Sequence, residues 1–219
     1  MSGDEGCQPG SDGEHELQER WDAVERAQAF YDKQVLDFLN PQMQEFVERQ
    51  EMVFVSTSDA RGECDCSFRA GEPGFVAALD ERTLVYPELR GNGVYATLGN
   101  LSENANIGLL FVDFFRDIVG LHVNGRATVI DHEDLIADER TPVRILEDLT
   151  ARRGRRAERW VQVDVHEAYI HCSKHIPMLA KLDKRVDWGT DDTKRKGGDY
   201  FDVSSAKAHD PARGGVRPT

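Results

Sequence analysis

Long hydrophobic runs are missing from this chain of 219 residues. Its apolar stretches fall far short of the roughly 20 residues a membrane helix requires, so no span is expected. Met1 to Glu19 has no apolar segment of the kind that marks a signal peptide; its Gly, Ser, Asp and Glu read as a flexible acidic tail. Basic charge is also short. The 27 Lys and Arg are outnumbered by 40 Asp and Glu, a formal net charge of -13. A nucleic-acid groove or an anionic membrane surface needs the opposite balance. Cysteine is scarce: Cys7, Cys64, Cys66 and Cys172 show no disulfide framework. A reduced, cytoplasmic setting is the expectation.

What is present is organised around Leu84 to Phe115. Leu84, Val85 and Tyr86 are strand formers, and Pro87 is expected to end their pairing. Arg90-Gly91-Asn92-Gly93 reads as a turn, because Gly and Asn tolerate positive φ. Val94 to Leu101 is apolar at helical spacing, and Ile107 to Val112 is an apolar run of strand length. A glycine turn that opens a helix can hold an anion on the unpaired N–H groups of the first helical turn, and Arg90 adds a fork for phosphate oxygens. The competing reading is an ordinary turn with a solvated Arg.

Around this centre, Arg20 to Leu39 predicts one amphipathic helix, and Asn40-Pro41 caps a second, short one. Met52 to Thr57 and Cys64 to Ala70 predict a hairpin. Alternation puts Cys64, Cys66 and Phe68 on one face and Ser67 and Arg69 on the other. Phe75 to Leu79, Thr83 to Tyr86, Ile118 to Ile130 and Trp160 to Val165 are further strands, with Gly120 and Gly125 as candidate bulges. Thr141 to Arg152 predicts a helix ending in the basic run Arg152, Arg153, Arg155 and Arg156, read as a solvated face. Ile176 to Val186 predicts a short helix, and 187–219 a largely disordered tail in which Trp188, Tyr200 and Phe201 are able to dock. Strands dominate the middle and helices the ends, so the class is mainly β (α+β), a barrel or sandwich with helical additions. The folded domain is expected over 20–186.

Three blocks resemble the pyridoxamine 5′-phosphate oxidase-like family of FMN-binding split barrels. They are Phe54 to Gly62 running into Cys66 to Gly71 and Pro73 to Val76; Tyr86 to Gly93 through Leu98-Gly99-Asn100 and Gly108 to Phe111; and Leu121 to Ala127. The resemblance covers roughly 42–175. It implies a six-stranded split β-barrel with flanking helices, acting as a homodimer with flavin at the subunit interface, and a flavin-dependent oxidoreductase working on a small molecule. It also implies that Ser67, Phe68 and Arg69 line the flavin, that Tyr86 and Pro87 lie along its ring, and that Arg90, Gly91, Asn92, Gly93, Thr97 and Asn100 hold its phosphate. The tail Gly215 to Thr219 does not match the basic C-terminal motif of true pyridoxamine phosphate oxidases, so vitamin B6 oxidation is not expected. The same barrel also suits a non-catalytic flavin-binding or stress-response protein, or a binder of the deazaflavin F420 or of haem.

A second chemical stretch is His171-Cys172-Ser173-Lys174-His175. On a helix the two histidines would share a face and suit zinc, but no second ligand pair at metal spacing accompanies them, so no metal is assigned. By the same resemblance, His171 and Lys174 line the substrate side. A His titrates near neutrality and moves protons there. The bland alternative is a structural turn with Cys172 buried.

Overall fold

The structure, a computed structural model, describes residues 9–150, 157–184, 186, 190, 192, 195 and 197–208. The basic run 152–156, Cys7, Trp188 and the end of the tail lie outside them. Of the stretch 1–19 expected to be a flexible tail, residues 1–8 lie outside the described residues, and the described remainder carries a helix: α1 spans Asp12–Arg20. Ser11 and Glu14 start it reciprocally, Ser11 Oγ accepting the Glu14 N–H and Glu14 Oε1 accepting the Ser11 N–H, each at 3.3 Å. The single helix expected over 20–39 is interrupted, because Asp22 turns left-handed at φ 53° and α2 (Val24–Gln34) starts afresh. Val35–Leu36 then forms a short strand, β1. Helix α3 (Pro41–Glu48) starts as expected, with the Asn40 side chain accepting the Met43 N–H.

Strands β2 (Met52–Ser58), β3 (Cys64–Ala70), β4 (Ala77–Asp80) and β5 (Thr83–Glu88) follow. Pro87 does not stop β5: it pairs with Trp160, and Glu88 pairs with Arg159. Proline is tolerated there because pairing with β4 reaches only to Val85, so β5 has an open side beyond it. Helix α4 (Ala96–Glu103) leads to β6 (Asn106–Asp113) and the long β7 (Val119–Ile130). Helices α5 (His132–Ala137) and α6 (Val143–Thr150) precede β8 (Arg159–His171). A single 3-10 turn, Ser173–His175, is the one helical element in the described residues 172–184, and the short helix expected over 176–186 does not form in them. The last described helix, α7, is Val203–Ala208. Tyr200 and Phe201 remain exposed.

All strands join one antiparallel, eight-stranded sheet of order β3-β2-β6-β7-β8-β5-β4, with β1 on β8. That exceeds the six strands expected. The sheet curls without closing, which leaves a seam between β3 and the β5 side, and α4 packs on β2, β3 and β7. Asn100 Nδ2 donates to Thr57 Oγ1 (3.0 Å) and Asn104 Nδ2 to Ser58 Oγ (2.9 Å), and both bonds tether α4 to β2. Inside lies the main core, including Val53, Val55, Leu84, Tyr86, Leu109, Phe111, Val123 and Val161. Each such large side chain contributes roughly 1.5–3 kcal/mol by leaving water. A second core holds Val85, Trp160, Ala77 and Leu79 against Leu135 of α5 and Ile145 and Leu149 of α6. Strand β5 thus buries both faces from Thr83 to Tyr86, whereas β8 does so only around Trp160.

Of the two candidate bulge glycines, Gly125 sits at a register shift between β7 and β8, and Gly120 stays in regular pairing with Val112 and His171. The outer face of the sheet carries a continuous row. Phe68, Phe54, Leu110, His122 and Tyr169 are successive cross-strand neighbours over β3, β2, β6, β7 and β8. Phe30 of α2 meets the end of this row edge-on, 5.9 Å from Tyr169.

Candidate functional site

Ser67 and Arg69 stand on the interior side of β3, opposite Val55 and Val53, as the alternation requires. Both meet Thr97 in the first turn of α4. Ser67 Oγ lies 3.1 Å from Thr97 Oγ1 and donates to Asp65 Oδ2 at 2.9 Å. Arg69 Nη2 donates to Thr97 Oγ1 at 3.1 Å. Arg69 also grips Glu88 with two prongs, Nε at 3.1 Å and Nη2 at 3.0 Å. Glu88 ends β5, so this pair bridges the seam. Burial holds the Glu88 carboxyl above its usual range against the opposing pull of Arg69. Tyr86 is fully buried beneath, and its hydroxyl has no partner. Burial, helped by the Glu88 charge, pushes that phenol upward.

The turn between β5 and α4 is built for exposure. Asn92 Oδ1 accepts the Val94 N–H at 2.9 Å, Gly93 has φ 81°, and Tyr95 enters the helix left-handed at φ 55°. The Tyr95 hydroxyl donates to Glu158 Oε2 at 3.1 Å, and that bond raises its pKa. Arg90 is exposed, its Nε 4.0 Å from Glu158 Oε1. No side chain caps the start of α4, so the N–H groups of its first turn have no side-chain acceptor. A methyl group added at Gly91 or Gly93 would meet nothing within 4 Å. The open corner therefore offers backbone donors, positive helix-end charge and a guanidinium, a set that suits a phosphate.

The structure brings Ser67, Arg69 and Thr97 into one cluster and places Arg90, Gly91, Asn92 and Gly93 on the adjoining turn. Asn100 is one turn further along α4, engaged with Thr57. Phe68 faces the other way: it is 54% exposed on the outer face, 5.5 Å from the Phe54 ring. Pro87 likewise lies on the face of β5 opposite Tyr86. His171 joins neither group. It ends β8 on the outer face, where its Nδ1 is 2.9 Å from His122 Nε2, and His122 stacks on Tyr169 at 4.7 Å. Burial, then the neighbouring His171, lowers the His122 pKa. His175 is on the 3-10 turn, so the two histidines do not share a helical face; Lys174 and Cys172 are exposed. Among the described residues no three His, Cys, Asp or Glu are placed to hold a metal ion.

Sequence reasoning missed Glu88 and His122 as members of these clusters. Glu88 was within reach, since alternation from Leu84 and Tyr86 carries it to the same face. His122 had no signal, because its partner His171 is 49 positions away.

An open antiparallel barrel with an uncapped helix beside its seam defines a split-barrel protein. The family model described as pyridoxamine 5′-phosphate oxidase matches residues 39–172, and the chain belongs to that family. No curated protein matches it in sequence. Among solved structures, HupZ of Group A Streptococcus is similar at 19% identity and TM-score 0.45, over 60% of this chain and 94% of that one. An FMN-binding protein from Syntrophomonas wolfei is similar at 10% identity and TM-score 0.43, over 72% and 96%. General Stress Protein 26 from Bacillus anthracis is similar at 14% and 0.39, over 57% and 87%. No helix among the described residues is long and apolar enough to cross a membrane.

Proposed function

We propose that this protein binds FMN and serves as a flavin-dependent oxidoreductase for a small molecule other than pyridoxamine phosphate. Family membership supports the flavin, and one observation carries the placement: the open turn Arg90 to Gly93 runs into a helix whose first N–H groups lack a side-chain acceptor. There Arg90, the backbone of Gly91, Asn92 and Gly93 and the first turn of α4 hold the phosphate. Ser67, Arg69 and Thr97 position the wall behind it, with Asn100 tethering the helix and Tyr86 supporting β5 from the core. Pro87 and Phe68 would meet the ring only from the opposite faces of their strands, away from Ser67 and Arg69. Bound FMN supplies reversible electron transfer, and the surrounding cations and N–H groups tune its potential.

The test is an absorption spectrum of the purified protein, with its denatured supernatant compared against FMN, FAD and F420 standards. Flavin bands that bleach with NADH, NADPH or reduced deazaflavin support the reading; no flavin before or after addition of each one overturns it, and a Soret band assigns haem instead. Arg90→Ala is expected to weaken FMN binding about 10-fold, the loss of one exposed charge-assisted contact. Unchanged affinity removes Arg90 from the site. A non-catalytic flavin carrier is the second reading. It is favoured by the position of the titratable pair His122 and His171, on the sheet face opposite Ser67 and Arg69.

The row from Phe68 to Tyr169, exposed at Phe68 and half-buried at Phe54, Leu110, His122 and Tyr169, supports a homodimer packed through the outer face. Phe68→Asp is then expected to turn a dimeric species monomeric in light scattering on a sizing column. An unaltered dimer would place the interface elsewhere.

A further inference from the structure

Strand β3 carries two thiols side by side. Cys64 and Cys66 are both free and both exposed. Alternation keeps them on one face: Cys66 lies opposite Ser56 and Cys64 opposite Ser58, on the outer side that also carries Phe68. Strand β3 begins the sheet order, and its pairing with β2 runs from Cys64 to Ala70, so the strand holds the two side chains at a fixed spacing. They border an open hollow of about 720 Å³ whose lining beside them is small, with Ser56, Ser58 and Gly108. Cys64 Sγ makes a weak bond of 3.5 Å to the Gly62 carbonyl, which a stronger partner for the sulfur displaces.

The spacing decides what can join them. Residues two apart on an extended strand have Cα atoms about 6.6–6.8 Å apart. That is the upper end of what a disulfide spans, and a disulfide also needs the β-carbons drawn in to about 4 Å, which a paired strand resists. A metal ion is a longer bridge. With bonds of about 2.3 Å to each sulfur, it spans sulfurs up to about 4.6 Å apart, against about 2.05 Å in a disulfide. Thiolates are soft donors and select soft ions. The number of donors narrows the choice further. Among the described residues no three His, Cys, Asp or Glu are placed to share an ion. Zinc takes three or four protein ligands. Cu(I) is satisfied by two thiolates in a line.

We propose that Cys64 and Cys66 together bind one soft, monovalent, thiophilic metal ion, with Cu(I) as the type. Both thiol protons leave to solvent as the two metal–sulfur bonds form, and the metal keeps its oxidation state. The site lies on the sheet face opposite Ser67 and Arg69 and stands independently of the flavin reading.

The test uses fully reduced, flavin-free protein without oxygen, competing for Cu(I) against the coloured chelator bathocuproine disulfonate. Wild type is expected to withdraw one equivalent of Cu(I) from the chelator, and excess zinc is expected to leave that ion in place. Cys64→Ser and Cys66→Ser are each expected to weaken binding about 100-fold or more, because the second thiolate of a held pair acts at high effective concentration. Cys7→Ser and Cys172→Ser are expected to bind as wild type does. Cys66→Ser combined with Phe68→Cys keeps two thiols on the same face at about twice the spacing, and it should bind no better than Cys66→Ser alone. Serine at these exposed positions should leave the urea midpoint unchanged, which separates lost binding from lost fold. No withdrawal of Cu(I) by wild type overturns the proposal. So does displacement by zinc, full binding by either single variant of the pair or by the wider-spaced variant, or loss of binding in Cys7→Ser or Cys172→Ser. Because the protein is flavin-free throughout, failure here is distinct from failure to bind FMN.

Discussion

Arg69→Met is expected to lower stability by about 3–5 kcal/mol at neutral pH, the cost of leaving a buried carboxylate without its partner. Glu88 is that carboxylate: its side chain is 14% exposed, and Arg69 supplies the two hydrogen bonds that hold it. The deficit has a pH signature. Burial already raises the Glu88 pKa, and Arg69 opposes the rise, so removing Arg69 raises it further. The native state then holds this proton more tightly than the unfolded chain does. The contribution of Glu88 is full below the ordinary carboxylate range and is lost as pH climbs through the raised value. Urea unfolding of both proteins across that range should show the gap between wild type and variant narrowing in acid. A gap that is constant with pH would mean that packing around Met, and not the stranded charge, causes the loss. Thr97 loses a donor at the same time, so the start of α4 should loosen and, on the proposed reading, flavin binding should weaken with it.

Gly125→Ala is the second large effect. A methyl group there would stand 2.0 Å from the Asp164 carbonyl oxygen and 3.0 Å from its carbon. Both obstacles are backbone of the adjoining strand, so no side-chain rotation relieves the clash. Strand β7 must part from β8 where their register shifts, and these two strands form the centre of the sheet. The expected cost is about 3 kcal/mol or more, at or above the usual range for overpacking, read as a lowered urea midpoint or as failure to recover folded protein. Gly99→Ala is the contrasting control. Its methyl would meet nothing within 4 Å, and it sits inside α4, where alanine is the better helix former. It should be neutral or stabilise by up to about 1 kcal/mol. Similar losses in both variants would show that the contact at Gly125 is not what matters.

Much of the fold was legible because period-two alternation depends only on neighbours in the chain. It placed Ser67 and Arg69 together and Phe68 apart, and the pairing of β3 with β2 bears that out. The family blocks were legible for the same reason: each is a short contiguous stretch. Helix boundaries were less so. The α1 cap rests on a local pair, Ser11 and Glu14, hidden in a stretch whose composition reads as disordered, and the break at Asp22 is one positive φ. The short α5, opened by the Asp131 N–H donating to Asp134 Oδ2 at 2.8 Å, carries too few apolar residues for a period to show.

What local order dictates, then, is the type and facing of the strands, the turn at Arg90 to Gly93, and membership of a family. Residues a few positions apart fix φ, ψ and alternation without help from the rest of the chain. What required the curled sheet is every meeting across distance. Arg69 meets Glu88 because the seam brings β3 beside β5; His122 meets His171 because β7 pairs β8 in one register; Trp160 is left with an unpaired donor because α6 closes over the outer face of β5. These contacts depend on strand order and on the burial that follows from it, and both arise from the packing of the whole chain, not from any one segment.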